Sequence, residues 1–315
     1  NDYGNAISYI ESTNAVIQDI VLRAFSYMPS HERFLYWNWY KDWFYYEIPN
    51  FCFSIRTKQI ACLSYNSVLF SKGILLNTDV EERRIAQEKD GESSLSIYME
   101  LQNARKEIDM LQYGSLESEN KRDSLTRVIV DLSDQLSRQS SVFGCYIKMQ
   151  SAKWEDVKSS LKKGEIAIEF VKVDRETDSY YIALTLKKGY THPHVIELFS
   201  ESQLRSIKEQ SYYRSDQLFN LIWRPLHNEL LRVKSVYFSP DGCLHSIGIE
   251  NVLTNNDKPI SNSYSLFRLS STRELVFRGE RPKNSYAALF GGLDYNYNPD
   301  FVVSDTTCIL SLIHI

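Results

Sequence analysis

Apolar residues in the first half of the chain recur at helical spacing. Ala6, Ile7, Ile10, Ala15, Ile17, Ile20, Val21, Ala24 and Phe25 predict a first helix that Pro29-Ser30 ends. The run Phe34-Leu35-Tyr36-Trp37-Asn38-Trp39-Tyr40, then Trp43-Phe44-Tyr45-Tyr46, is aromatic nearly all round, the pattern of a helix buried by its neighbours. Pro49 predicts a break before a third helix carrying Ile60, Ala61, Leu63, Tyr65, Val68, Leu69 and Phe70, with Gly73 near its end. Leu95, Tyr98, Met99, Leu101, Ile108 and Leu111 form a loose stripe, and Leu125, Val128, Ile129, Leu132 and Leu136 follow an i, i+3, i+4, i+7, i+11 order. Gly91-Glu92-Ser93-Ser94 and Gly114-Ser115 read as the turns around these helices. This succession predicts a stack of helical hairpins, either the end of a solenoid or an ordinary bundle. No repeat of about 34 residues is evident.

From about residue 151 the period changes. Trp154-Glu155-Asp156-Val157 opens a short helix through Leu161, closed by Gly164. Glu165-Ile166-Ala167-Ile168-Glu169-Phe170-Val171 alternates polar and apolar as a strand does. Tyr180 to Leu186 and Val195 to Leu198 predict two more strands around the turn Lys187-Lys188-Gly189-Tyr190. A helix over Leu218, Leu221, Ile222, Leu226, Leu230 and Leu231 precedes a strand at 235–238. Pro240-Asp241-Gly242 is a strong turn signal, after which Leu244, Ile247 and Ile249 resume an apolar pattern. Strands interleaved with helices predict an α/β domain. The expected fold is multi-domain, all-α over residues 1–150 and α/β from residue 151.

The 315 residues suffice for two domains, and 43% hydrophobic with 24% charged residues is a globular composition. Twelve Gly and eight Pro favour long regular elements over loops. A net charge of −4 provides no global positive field for nucleic acid or acidic membranes. No apolar run reaches the ~18 residues of a membrane span, and no signal peptide is visible at Asn1-Asp2-Tyr3-Gly4. Cys52, Cys62, Cys145, Cys243 and Cys308 lack CxxC spacing and are odd in number, which reads as reduced thiols in a cytoplasmic protein.

Several of these segments occur in the order of a known family. Trp154-Glu155-Asp156-Val157 with Gly164-Glu165-Ile166-Ala167-Ile168-Glu169-Phe170 resembles the opening of a CHAT domain, the caspase-like domain commonly fused behind TPR helices in bacteria. Tyr180 to Leu184, Leu221-Ile222-Trp223-Arg224-Pro225-Leu226, and Phe238-Ser239-Pro240-Asp241-Gly242 with Leu244 continue in the family's order. So do Tyr264-Ser265-Leu266-Phe267-Arg268-Leu269-Ser270-Ser271 and Ala287-Ala288-Leu289-Phe290-Gly291-Gly292-Leu293-Asp294-Tyr295. Ser71-Lys72-Gly73-Ile74-Leu75-Leu76 is similar to the helical region that precedes many such domains, and Gly248 departs from the family's frequent Pro.

The resemblance implies a cysteine endopeptidase fold in which a His–Cys dyad performs thiolate attack and proton transfer. It places both residues after the Gly291-Gly292-Leu293-Asp294-Tyr295 stretch, on strands ending in His-Gly and in Cys. No such strand follows Tyr297, so no catalytic residue is assigned, and the chain itself is expected to be inactive. The expected domains are a TPR-like helical region at 1–150, the leading part of a CHAT domain at 151–309, and a tail at 310–315. Leu310-Ser311-Leu312-Ile313-His314-Ile315 is what the transposase adapter CTG-TCT-CTT-ATA-CAC-ATC encodes, so the tail reads as adapter-derived; other codons there would exclude this. The lack of an initiator Met is read the same way, as a piece cut from a longer protein.

Other candidates for chemistry have simpler accounts. Cys243 and His245 would share a face on a strand, yet they precede the family's dyad positions; a packed Cys beside a hydrogen-bonded His is the plainer reading. Cys308 with His314 is discounted because the His falls in the tail. His192-Pro193-His194 lacks ligands at metal spacing and reads as a solvated turn, and His227 as a helix-surface residue. Gly291-Gly292-Leu293 lacks the phosphate-loop patterns, and Glu81-Glu82-Arg83-Arg84 reads as a solvated helix face. The aromatic cluster at 34–46 reads as core packing, with a peptide groove as the alternative. No cofactor or metal is expected; the expected partner is a protein or peptide bound through the helices, with no nucleic acid and no membrane. The function expected of the intact protein is a regulated caspase-like cysteine endopeptidase. The alternative is a non-enzymatic interaction scaffold with a degenerate caspase-like domain.

Overall fold

The computed structural model describes residues 3–28, 30–75, 92–111, 116–139 and 151–277. All of them belong to one compact unit, Asn1–Phe277, separate from a second unit Arg278–Ile315. The expected strand at Ala287–Tyr295, the Gly291-Gly292-Leu293 segment, the charge run at 81–84, Cys145, Cys308, His314 and the tail at 310–315 lie outside the described residues.

Helix α1 (Tyr3–Tyr27) leads into α2 (Ser30–Asp42). Pro49 does not break the next helix as expected. It offers no N–H to the carbonyl four residues before it, and the ladder instead takes a π register over Trp43–Glu47, with the Ile48 N–H bonding the Trp43 carbonyl. The helix then continues as α3 (Ile48–Ser54), and the break falls at residues 55–57. Helix α4 (Lys58–Ser71) starts at Thr57, whose hydroxyl accepts from the Ile60 N–H at 3.3 Å. Gly73, at φ 66°, turns the chain away after it.

The aromatic cluster divides between core and surface. Trp37 stacks on Phe44 with ring centroids 5.3 Å apart and packs near Phe25 and Phe70, so these rings are core. Phe34 and Leu35 are exposed, and Trp39 is 84% exposed. Helices α5 (Glu92–Met110) and α6 (Leu116–Gln139) pack together around Leu101, Ala104, Ile108, Ile129 and Leu132. Glu92 to Ser94, expected as a turn, form the start of α5. Arg122 on α6 pairs with Glu32 on α2 at 3.0 Å.

After α7 (Trp154–Ser160), strands β1 (Glu165–Asp174), β2 (Ser179–Leu186) and β3 (His194–Ser200) form an antiparallel meander. Helix α8 (Glu201–Ser206) follows. The single helix expected at 218–231 is broken by Pro225 into α9 (Gln217–Ile222), a 3₁₀ turn and α10 (His227–Leu230). Strands β4 (Ser235–Ser239) and β5 (Ser265–Arg268) then add in parallel beside β1, giving the sheet order β3-β2-β1-β4-β5. The described residues thus combine helices with a mixed five-stranded sheet.

Both faces of the sheet are covered. Ile166, Ile168, Phe170, Val236 and Phe238 face Leu218, Ile222, Trp223, Leu226 and Leu230 from the α9–α10 segment. On the other face, Ala167, Val171, Val173, Ile182, Leu184 and Leu186 share a core with Ile48 and Cys52 of α3, Ile60, Tyr65 and Leu69 of α4, and Trp154 of α7. The change of pattern at residue 151 therefore marks where strands begin, and apolar packing runs straight across it. The five Val, Ile and Leu side chains of that second face are worth on the order of 10 kcal/mol, at about 1.5–3 kcal/mol each. That is comparable with a whole domain's stability of about 5–15 kcal/mol. Residues 151–315 expressed alone are expected to show no cooperative unfolding in urea. A single sharp transition from a monomer would show that α3 and α4 are dispensable to the sheet.

Candidate functional site

Ligands and reacting groups on open α/β sheets gather at the carboxyl ends of the parallel strands. Here β1, β4 and β5 run in register, with Glu169 opposite Ser239 and Phe238 opposite Arg268. Ser239-Pro240-Asp241 and Leu269-Ser270-Ser271 therefore leave the sheet on the same side. The turn after β4 is fixed by Asp241, which accepts the Lys172 N–H at 2.9 Å and the Gly242 N–H at 2.8 Å. Gly242 sits at φ 51°, and a Cβ there would lie 2.4 Å from the Tyr181 hydroxyl, so no other residue fits without displacement.

A buried charge cluster joins these strand ends to helix α4. Glu169 has no exposed surface and Lys72 is 8% exposed. The Lys72 ammonium faces five acceptors: Glu169 Oε2 at 2.9 Å, Ser239 Oγ at 3.0 Å, and the carbonyls of Phe170, Ser239 and Pro240 at 2.8–3.1 Å. The other carboxylate oxygen accepts from the Thr272 N–H at 2.6 Å, the Thr272 hydroxyl at 2.8 Å and the Ser271 hydroxyl at 3.1 Å. The Tyr65 hydroxyl is 2.9 Å from Thr272 Oγ1. Burial, then the charge of Glu169, pushes the Tyr65 phenol well above its ordinary value, which keeps it a neutral hydrogen-bonding group. Arg273, also fully buried, donates in the reverse direction, to the carbonyls of Leu69 and of Lys72, the latter at 2.9 Å. Of the two buried cations, Lys72 pairs with the carboxylate, and the carbonyl end of α4 supplies the negative potential that faces Arg273.

Ser239 Oγ beside Lys72 Nζ has the spacing of a Ser–Lys nucleophile pair. The Ser239 hydroxyl donates to the Ser270 carbonyl at 2.8 Å, and the ammonium is committed to the carboxylate and carbonyls. Ser239 has no exposed surface, so no substrate reaches it. The cluster is a structural clasp.

Cys243 and His245 lie on a 3₁₀ helix, Gly242–His245, and not on a strand. With three residues per turn, positions i and i+2 point to different faces, so the face-sharing expected of a strand does not arise. Cys243 is exposed, contrary to the packed thiol expected, and its Sγ is 3.7 Å from Glu201 Oε1. Burial opposes a charged Glu201, but Arg205 at 2.5 Å and Lys172 at 3.4 Å outweigh it and hold its carboxyl below the usual range. The group in reach of the thiol is therefore an anion. The His245 ring, expected to be hydrogen-bonded, has no hydrogen-bond partner among the described residues. Gly248, at φ −75°, has a backbone a proline could adopt, but its N–H donates to the Tyr213 hydroxyl at 2.9 Å, which proline could not do.

The solvated turn expected at 192–194 is met only by His192, which lies in the bend before β3 with its ring 2.9 Å from the Thr191 hydroxyl; Pro193 is buried, and His194 begins β3 with Nδ1 3.2 Å from Glu229. Buried Glu229 also accepts from Thr185 at 2.8 Å and Tyr190 at 2.6 Å. Burial raises its pKa, but hydrogen bonds from Tyr190, Thr185 and His194 win and lower it. Among the described residues no group of three His, Cys, Asp or Glu is arranged to hold a metal. His227 lies at the exposed start of α10, and Cys52 and Cys62 are free, each thiol pushed up to about 11 chiefly by burial.

Lys72 and Glu169 escaped sequence reasoning because each looked like a surface charge in its own element. The signal was local: Lys72 directly follows Val68-Leu69-Phe70-Ser71 at the end of α4, and Glu169 interrupts an apolar strand. No protein-family model matches the chain, and no curated protein is significantly similar to it. No helix among the described residues is long and apolar enough to cross a membrane.

Lys72→Met should cost about 3–5 kcal/mol in urea unfolding, because it strands a buried carboxylate. Adding Glu169→Gln should recover part of that loss; a second, additive loss would show that the pair does not interact. The Glu229 carboxyl, with its folded pKa lowered, stabilises the fold above its unfolded pKa of about 4.3, and that contribution is lost as pH falls through the folded value. Glu229→Gln should therefore flatten the acid limb of the stability–pH profile. Parallel limbs for variant and parent would contradict this.

Proposed function

We propose that the chain is the helical segment and the leading half of a CHAT-type caspase-like domain, from a regulated cytoplasmic cysteine endopeptidase. The observation that carries this reading is the sheet order. β1, β4 and β5 add outward in parallel, and β5 is the edge of the described sheet, with Phe267 44% exposed. A further parallel strand beside β5 would continue the series toward the positions where the resembled family carries its His and Cys. The loops after β4 and β5 emerge on the side where such a dyad would stand. The ordered sequence matches from Trp154 to Tyr295 point the same way.

The helices are read as the receiver of a protein or peptide partner. Phe34, Leu35 and Trp39 on α2 are exposed while the adjacent Trp37 is buried, which leaves large apolar side chains free for contact. The net charge of −4 disfavours nucleic acid as that partner.

The deciding experiment reads the gene beyond this coding region and assays the complete protein. A strand ending in His-Gly, a later one ending in Cys, and thiol-dependent peptide cleavage are expected. Loss of both residues would favour the scaffold alternative. The 315-residue chain alone should show no peptidase activity; cleavage by it that Cys243→Ala abolishes would overturn the assignment.

A further inference from the structure

The contacts between α4 and the strand ends form an exchange in both directions. Lys72, the residue that ends α4, sends its ammonium to the Phe170, Ser239 and Pro240 carbonyls and to Glu169. Arg273, four residues beyond Leu269, sends its guanidinium back to the Leu69 and Lys72 carbonyls of α4. Glu169 holds the first residues of the same returning turn through Ser271 and Thr272. Tyr65, about two turns before Lys72 on α4, meets Thr272. Tyr45 from the π segment donates to the Ser71 carbonyl at 3.2 Å, so the last carbonyls of α4 are occupied from two sides. All of these groups except Tyr45 are buried, so water cannot replace a broken bond without entering the core.

We propose that this clasp makes the last turn of α4 and the two loops at 239–246 and 269–277 a single cooperative unit that opens and closes together. Loosening α4 withdraws the Lys72 ammonium from three carbonyls of β1 and of the β4 turn. The same movement removes the acceptors of Arg273. Outside the clasp, the β4 turn is held by Asp241, Tyr181, Arg268 and the buried Leu244, and the β5 turn by Glu274 and the buried Leu275; the Ser239 hydroxyl, which donates to the Ser270 carbonyl at 2.8 Å, joins the two loops directly beside the Lys72 ammonium. A force applied to the helices is thereby delivered at the carboxyl ends of the parallel strands. Its use in control of a protease rests on the function proposed above; the coupling itself does not.

Hydrogen exchange of the intact 315-residue chain, read by mass spectrometry across sub-denaturing urea, tests it. Amides of residues 65–72, 239–246 and 269–277 should show one shared opening that responds to urea with one slope. Independent openings of α4 and of the loops in the parent protein would overturn the proposal, whatever the variants do. Lys72→Met should speed exchange at least about tenfold in both loops, which follow different strands, while the β2–β3 amides, which exchange only on global unfolding, follow the loss of global stability. Acceleration in only one loop would also overturn it. These readouts require no peptidase activity. A full-length protein without a dyad would refute the proposed function and leave the coupling standing.

Discussion

The Lys72 ammonium, buried against Glu169 and three strand-end carbonyls, is the constraint on which the architecture turns. A charge taken out of water is tolerated only when its surroundings supply near-complete replacement of its hydration. Here that replacement comes from β1 and the turn after β4, while the turn after β5 holds the paired Glu169 carboxylate, so all three must stand in one register. The arrangement does more to specify geometry than to add net stability, because an apolar pair of equal volume could fill the same space. A sheet whose strand ends were shifted by one residue would turn Glu169 to the opposite face and leave the lysine unpaired.

The same constraint explains why the helices and the sheet form one unit. β1 and β2 are apolar on both faces, which requires a layer on each side. The α9–α10 segment follows the meander and covers one face; α3 and α4, more than a hundred residues upstream of that segment, cover the other. The π register at Trp43–Glu47 serves this docking, since it carries the helix past Pro49 and sets Tyr45 against the end of α4. Helix α4 is buried on nearly every side as a result, with Arg273 and Tyr45 closing its carbonyl end.

The cysteine, histidine and serine residues that invite an enzymatic reading show how strongly context decides chemistry. Cys243 is exposed but faces a carboxylate, Ser239 touches a lysine but is sealed, and His194 is tied to a buried glutamate. Each has a structural role that its neighbours define. The candidate for function is instead the place where loops converge, beside β5 at the edge of the described sheet.

Much of the fold was legible from local pattern. The period of the apolar residues located α1, α4, α5 and α6, all three strands of the meander and β4, since helices and strands impose those periods on any half-buried segment. The turn at Pro240-Asp241-Gly242 was legible too, because only glycine takes its backbone there without strain. What local pattern missed depends on partners distant in sequence. The π segment in place of a break, the 3₁₀ helix that separates Cys243 from His245, and the exposure of Trp39 beside the buried Trp37 all follow from which surfaces meet. Lys72 and Glu169 are the clearest case: ninety-seven residues apart, each reads as an ordinary polar position. By itself the sequence determined the elements, their order and the mixed helix-and-strand class. Only the tertiary structure decided that α4 closes over the strand ends, because burial of a charge is a property of the assembled surfaces and not of either segment alone.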